Sequence, residues 1–570
     1  MSALLQAIDQ YTSNTPLSSG ENGHAQYGWS NEIEDLIVQF HFQLVRTDKA
    51  GVETMKHRFN HIIQTIKCNH VDTNKYLTVM FKILLQTRDH VEGKGEYALS
   101  YMMLLQWWNI DPILAKYALC QFMLGTNIAC GGQPYGSFKD AKYLCHYIFE
   151  ETNDSNHPFI QYVIELLCDE MRKEINNGKQ PSLIWRWVPS ETSQFKWLFI
   201  KIAEEYFYGY LNTAKTEESY RKACVKARMD FRKLRSKYNA ILDTVQIKQC
   251  KKEWASIDHN KTTSITMSRQ KFAFLNKNKK GQQRTTDPDR IQCAQNLVDY
   301  LESRVKDGKE IKGGKVGMEE FTKKALEIYC ESPEKNILDS QWRDSSKQTE
   351  NLGNYIAMVD TSGSMDGDPL FAAIALGIRI AEKSTLGKRV LAFNTEPSWI
   401  NIEHCNSFVD AAQYIYHDSC SKGLSTNFYR ALKVILAAII DKKLPKQTVE
   451  KMTLVILSDM QINAGDNSWN DSLYDNIKRE YQEAGLKSIG EPYQPPHILF
   501  WNLRRTNGFP TFTKQTNASM MSGFSASLLD VFCQKGIDAL LDSTPYQILL
   551  ESLNQKRYKT DSIIWIDSFL

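Results

Sequence analysis

Several features are missing from these 570 residues, and each absence narrows what the chain can be. No basic stretch followed by an apolar run opens it; Met1-Ser-Ala-Leu-Leu-Gln stands there instead, so a secretory leader is not expected. Its longest apolar runs, such as Val434–Ile440, fall far short of the roughly 20 residues needed to span a bilayer. None of the 12 cysteines forms a CxxC pair, which points to reduced, mostly buried thiols. Neither sign of charge dominates: 69 basic and 66 acidic residues leave +3, so bulk charge dictates no partner. No fixed-length repeat emerges. These absences lead us to expect no membrane partner and a cytoplasmic (or nuclear) protein, or, if viral, one of the virion or infected-cell cytoplasm.

What is present suits a folded protein of several domains. A hydrophobic content of 42% with 11% aromatics supports large cores. Up to about residue 345 the pattern is helical, with apolar residues three and four apart in Glu32–Val45, Thr73–Thr87, Tyr97–Trp108 and Phe159–Asn176. Short links between such segments suggest stacked helical repeats. After about residue 350 short apolar runs alternate with amphipathic helices. Tyr355–Val359, Arg389–Phe393, Met452–Leu457 and His497–Trp501 read as buried strands, and Trp399–Ile402 as an antiparallel edge. Between them lie helical stretches at Pro369–Lys383, Phe428–Asp441 and Ser472–Ala484. The expected fold class is therefore α + α/β: an all-α helical-repeat domain over 1–345 and a doubly wound domain over 352–570. Ser345–Asn351, polar throughout, reads as the linker, and Lys306–Gly317, rich in lysine and glycine, as an exposed loop.

Open α/β sheets bind ligands beyond the carboxyl ends of their strands. Asp360-Thr-Ser362-Gly-Ser364 follows the first strand, Gly423-Leu-Ser-Thr426-Asn precedes a helix, and Ser458-Asp459 ends the third strand. These oxygens suit a hard cation, because magnesium takes octahedral oxygen ligands at about 2.0–2.1 Å and keeps several waters. Two serines one residue apart can reach one ion from a tight loop, and Gly363 lets the backbone turn between them. The bland alternative is three unrelated capping turns. Asp368, just before Pro369, reads as a helix cap.

Asp360-x-Ser362-x-Ser364, then Thr426, then Asp459, resembles the metal-ion-dependent adhesion site of von Willebrand factor A domains. That resemblance implies Mg2+ (or Mn2+ or Ca2+) held by Asp360, Ser362, Ser364, Thr426 and Asp459, and a protein partner offering a carboxylate to the ion. Further stretches, Gly93-Lys-Gly-Glu, Trp187-Val-Pro-Ser, Phe500-Trp-Asn-Leu-Arg and Ser522-Gly-Phe-Ser, resemble an uncharacterised family, domain of unknown function 2828, of plants, fungi and giant viruses. That family is in turn similar to the Ro autoantigen, which joins a ring of helical repeats (the TROVE module) to an A domain. The Ro likeness implies noncoding or structured RNA as a partner, in a ribonucleoprotein or RNA quality-control role.

The most basic stretch runs from about Tyr220 to Arg290. It carries Arg228, Arg232, Lys233, Arg235, Lys237, Lys251, Lys252, Lys277, Lys279 and Lys280, interleaved with Tyr220, Phe231, Tyr238, Trp254, Phe272 and Phe274. Cations give salt-dependent phosphate affinity and exposed aromatics can stack unpaired bases, although such faces are more often solvated charge over core. Arg228, Arg232 and Arg235 are spaced to share one helix face.

Other patterns carry less. Gly93-Lys-Gly95 could greet a phosphate but reads better as a helix-start turn. Gly308–Lys315 fails the P-loop spacing. His57 and His61 stand four apart, as a zinc site would like, but no Glu follows His57 and no third ligand is evident, and the set His404, Cys405, His417 and Cys420 fits no common zinc spacing. Enzymatic use of Asp360 as a phosphohydrolase nucleophile would want a second carboxylate two residues on, where Ser362 stands. A serine elbow is absent from the same loop. The expectation is a binding module, not an enzyme. The main alternative is an assembly protein making metal-dependent protein contacts without RNA.

Overall fold

The computed structural model describes residues 17–69, 72–125, 132–278, 280–328, 332–420, 423, 425–463, 472–534 and 537–559. The chain forms two compact units: one gathers the segments up to 87, 91–99 and from 309 onward, the other 88–90 and 100–308.

The second unit is helical. Pro158–Asn176 shows why: Pro158 supplies the fixed first-turn φ, His157 Nδ1 accepts from Phe159 N at 3.2 Å, and Phe159, Ile160, Val163, Ile164, Leu167, Cys168 and Met171 make one buried stripe. Glu217–Leu242, the longest helix, opens on a Thr216–Ser219 capping box and buries only Cys224, Ala227, Phe231 and Asn239. Inside this unit Arg88 pairs with Asp140 through two bonds of 2.5 and 2.8 Å, and Tyr101 donates to the same carboxylate at 2.8 Å.

The other unit contains the sheet. Two strands form a small hairpin near the start, β1 (Leu17–Ser19) and β2 (Ala25–Tyr27). Six more form one sheet: β3 (Tyr355–Asp360), β4 (Arg389–Phe393), β5 (Ser398–Asn401), β6 (Thr453–Ser458), β7 (His497–Asn502) and β8 (Ala518–Ser522). Their order is β5-β4-β3-β6-β7-β8, parallel except for the antiparallel edge β5. This is the doubly wound order, with its switch point between β3 and β6. The central strands are buried along their lengths and read as unbroken apolar runs for that reason. Helix Asp368–Lys383 lies close on the sheet because Gly377 has no side chain; a Cβ there would meet Val359 Cγ2 at 2.6 Å.

The four buried strands, the antiparallel edge and the seven helices expected from periodicity all form, with ends displaced by a few residues. β8 was not expected. Ala-Ser-Met-Met-Ser lacks the β-branched residues that mark strands, and its extended form rests on pairing with β7.

A division at 345–352 does not coincide with the compact units, since the chain passes from one to the other at 308/309, inside the Lys/Gly-rich loop. Within Ser345–Asn351, expected as the linker, Ser345 and Thr349 are buried while Lys347, Gln348, Glu350 and Asn351 are exposed; the buried guanidinium of Arg379 needs acceptors and takes Ser345 O and Thr349 Oγ1, both at 3.2 Å. At the other end of the chain, helix Ile33–Gln43 buries Ile33, Leu36, Ile37, Val38, Phe40 and Phe42 together with its polar residues Asp35, Gln39, His41 and Gln43. A helix buried all round belongs inside a core. It is bonded to the sheet: Asn502 Nδ2 donates to Phe42 O at 2.9 Å, and Thr506 N to Gln43 Oε1 at 2.8 Å.

Lys94 locks the same junction. Its buried ammonium donates to His41 O (2.7 Å), Leu44 O (3.2 Å) and Ser522 Oγ (2.6 Å), so Gly93-Lys-Gly-Glu and Ser522-Gly-Phe-Ser, far apart in sequence, are one structural joint. Neighbouring Glu96 pairs with Arg46 at 3.3 Å. Among the described residues no helix is long and apolar enough to cross a membrane.

Candidate metal centre

Asp360 ends β3, Ser458 ends β6, and Asp459 follows it, so both carboxylates arise at the carboxyl ends of the two strands flanking the switch point. Both are fully buried. The loop after β3 turns at once: Asp360 Oδ1 accepts from Ser362 N at 2.9 Å, and Met365 N bonds Ser362 O at 3.1 Å, closing a short 3-10 turn. That turn brings Ser362 Oγ and Ser364 Oγ to 3.3 Å. Adjacent ligands of an octahedral magnesium ion stand about 3 Å apart, so the pair fits two positions on one ion.

The second loop is held just as tightly. Asp360 Oδ2 accepts from Ser458 Oγ at 2.5 Å, and Ser458 Oγ accepts from Met460 N at 3.0 Å. Asp459 Oδ1 accepts from Gln461 N at 3.1 Å, and Asp459 Oδ2 from Arg504 at 2.9 Å. Burial, reinforced by the negative charge of Asp459, raises the Asp360 carboxyl well above the usual carboxylate range. Two acids pressed together out of water favour a cation between or beside them. Thr426 is buried in the loop before helix Phe428–Lys442, and its carbonyl accepts from Asn463 N at 3.0 Å, tying this third loop to the one that carries Asp459.

The structure thus groups Asp360, Ser362 and Ser364 in one turn beside Asp459, with Thr426 bonded to the segment that follows. The donor set is hydroxyls plus two carboxylates, which suits a hard ion. Among the described residues no group of three or more His, Cys, Asp or Glu is placed to hold a metal ion. Asp368 is the first residue of its helix, not the cap; Gly367, at φ 88°, precedes it, and the Asp368 carboxylate pairs with Arg46 at 3.3 Å. Cys405 Sγ lies 3.7 Å from His404 Nε2, while the side chain of Cys420 lies outside the described residues. Ser458 stands at the strand end where it was expected, but its bond to Asp360 was not anticipated, and neither was the presence of Gln461 and Arg504 at the site. Ser458 and Arg504 sit at or just past strand ends, where the switch-point rule would look; for Gln461 no local signal exists.

The basic stretch behaves differently. Arg228, Arg232 and Arg235 do share a helix face, but it turns towards residues 188–204: Arg228 pairs with Glu204 (3.5 Å), Arg232 with Glu191 (3.1 Å), and Arg235 Nε donates to Val188 O (3.2 Å). Lys233 and Lys237 are exposed, as are Lys251, Lys252 and Lys280, whereas Lys277 is half-buried and Lys279 lies outside the described residues. Of the interleaved aromatics Tyr220 is exposed and Phe272 half-buried, while the other four are buried or covered. Phe231 and Phe274 are fully buried, Tyr238 stacks on Trp185 at 4.4 Å, and Trp254 is covered by Arg290 at 3.6 Å. Aromatics at helical spacing went to the core, as packing demands.

The fold and site together describe an α + α/β protein similar to an uncharacterised, giant-virus-related family. Residues 354–564, which hold the sheet and all five candidate ligands, match a domain of unknown function, DUF7788. Over 538 residues the chain is 26% identical to "Uncharacterized protein L728" of Acanthamoeba polyphaga mimivirus, covering 90% of this chain and 84% of that protein. The similarity therefore extends through the helical unit as well.

Proposed function

We propose that the chain is a non-enzymatic binding protein on a von Willebrand factor A-like sheet, using Asp360, Ser362, Ser364, Thr426 and Asp459 to hold Mg2+ (or Mn2+ or Ca2+). The free position on the ion takes a carboxylate of a protein partner. The observation that carries this reading is the pair of fully buried carboxylates at the switch point, facing a turn whose two serine hydroxyls stand 3.3 Å apart. With the acids supporting coordinated water and the hydroxyls bound directly, few charges quench the ion, which stays attractive to an incoming carboxylate.

Calorimetric titration of the whole chain with MgCl2 tests it. One equivalent should bind, and binding should vanish in Asp360→Ala and Thr426→Ala while both variants keep the wild-type circular dichroism. Mg2+ binding that persists in both variants would remove the site. Phosphatase turnover lost in Asp360→Asn would favour an enzyme instead.

A Ro-like role with RNA on the helical unit is the companion reading. What favours it is the exposed set Lys233, Lys237, Lys251, Lys252 and Lys280; with most of the aromatics covered, charge would carry most of it. RNA affinity should then fall steeply with salt. Undetectable binding at low salt would leave the metal-dependent assembly role by itself.

A further inference from the structure

The hairpin β1–β2 is stitched onto the loop that carries Asp459. Glu21 N donates to Gln461 Oε1 at 2.7 Å, Asn22 Nδ2 donates to Gln461 O at 2.7 Å, and Gly23 bridges to Asn463 in antiparallel fashion. Its tip therefore lies against the candidate metal centre. One nitrogen of Arg504, Nη1, serves both sides of this contact: it is 2.9 Å from Asp459 Oδ2 and 3.4 Å from Glu21 Oε2. The guanidinium is the positive charge nearest the buried acid, and it sits on an oxygen that a metal-bound water would use. Glu21, at the hairpin tip, offers the same guanidinium a second seat.

Resting on the metal-binding reading above, we propose that Arg504 is an internal competitor for the cation and Glu21 its alternative seat. Ion binding and anchoring of the N-terminal hairpin are then one linked event. Without the ion, Arg504 neutralises Asp459. When the ion takes Asp459, Arg504 moves wholly to Glu21 and ties the hairpin tip down more firmly. The site thus reports its occupancy to the hairpin through a single side chain, and linkage makes the effect reciprocal. Both arms are charge-assisted hydrogen bonds, one to the buried carboxylate of Asp459 and one to the exposed carboxylate of Glu21.

The test compares the full chain with Arg504→Gln and Glu21→Gln by MgCl2 calorimetry and by amide exchange over residues 20–24. Arg504→Gln should tighten Mg2+ about fivefold or more, since the competitor is gone, while Glu21→Gln should weaken it by a similar factor. In the wild type Mg2+ should slow exchange at the hairpin tip, and in neither variant should it do so. If Arg504 only braces Asp459, Arg504→Gln will weaken Mg2+ instead; that result, or unchanged affinity in both variants, overturns the competitor while leaving the metal centre standing. No Mg2+ binding in the wild type or in Arg504→Gln overturns both.

Discussion

The carboxyl edge of the sheet and the basic helix Glu217–Leu242 make opposite use of charged residues. At the sheet edge the decisive bonds join positions far apart in the chain: Lys94 to Ser522, Arg504 to Glu21 and Asp360 to Ser458, separated by 428, 483 and 98 residues. On the helix many pairs are local, such as Arg221 with Glu217 and Lys222 with Glu218, each four residues apart and largely exposed. Buried, interlocked polar groups define a place where chemistry can be held in one geometry. Exposed local pairs contribute little beyond solubility and a few tenths of a kcal/mol each. Density of charge in the sequence is therefore a poor guide to where a site lies; convergence of strand ends is a better one.

Four substitutions would break or sharpen this contrast. Lys94→Met should be the most damaging, because it leaves three acceptors at the helix–sheet junction without their donor. We expect a loss of about 3 kcal/mol or more in urea unfolding, and a loss under 1 kcal/mol would mean that the joint is dispensable. Gly377→Ala comes next, at about 1–3 kcal/mol, as the new methyl forces the helix off Val359; a wild-type melting temperature would show that this approach is slack.

Asp530→Asn has the opposite sign. Burial, with help from Glu92 and Glu350, raises that carboxyl to about 7, and its Oδ1 is buried without a hydrogen-bond partner. Between its unfolded value near 3.8 and 7 the folded chain holds an extra proton, so this group's contribution to stability falls as pH rises through that window. The asparagine variant should match the wild type near pH 4. Above pH 7 it should be more stable by about 1 kcal/mol, after allowance for solvent screening. An advantage independent of pH would sink the assignment. Arg232→Ala should be the mildest, within about 0.5 kcal/mol, since its partner Glu191 lies across a solvent-exposed gap. If RNA binds this face, the same change should also reduce the salt slope by about one.

Much of the fold was legible because helices and buried strands write their period into the chain. Helix Pro158–Asn176 and strands β3, β4, β6 and β7 appear where their apolar spacing puts them. β8 and the hairpin were not legible, being short segments held extended by partners elsewhere. At the candidate site the five oxygen-bearing positions could be picked out from strand ends and spacing. The bonds of Arg504 to Asp459 and to Glu21 could not, because they join residues 45 and 483 positions apart.

The sequence by itself determined the local grammar: which stretches coil, which extend, and that acids and hydroxyls end the central strands. Only the tertiary structure decided that the opening helices and the hairpin join the sheet unit, that Arg228 and Arg232 pair with Glu204 and Glu191, and that Lys94, in what reads as a helix-start turn, donates into a buried junction. The physical reason is that backbone preference and periodicity act over a few residues, whereas the partner of a buried charge is chosen by burial itself, wherever along the chain an acceptor can be brought.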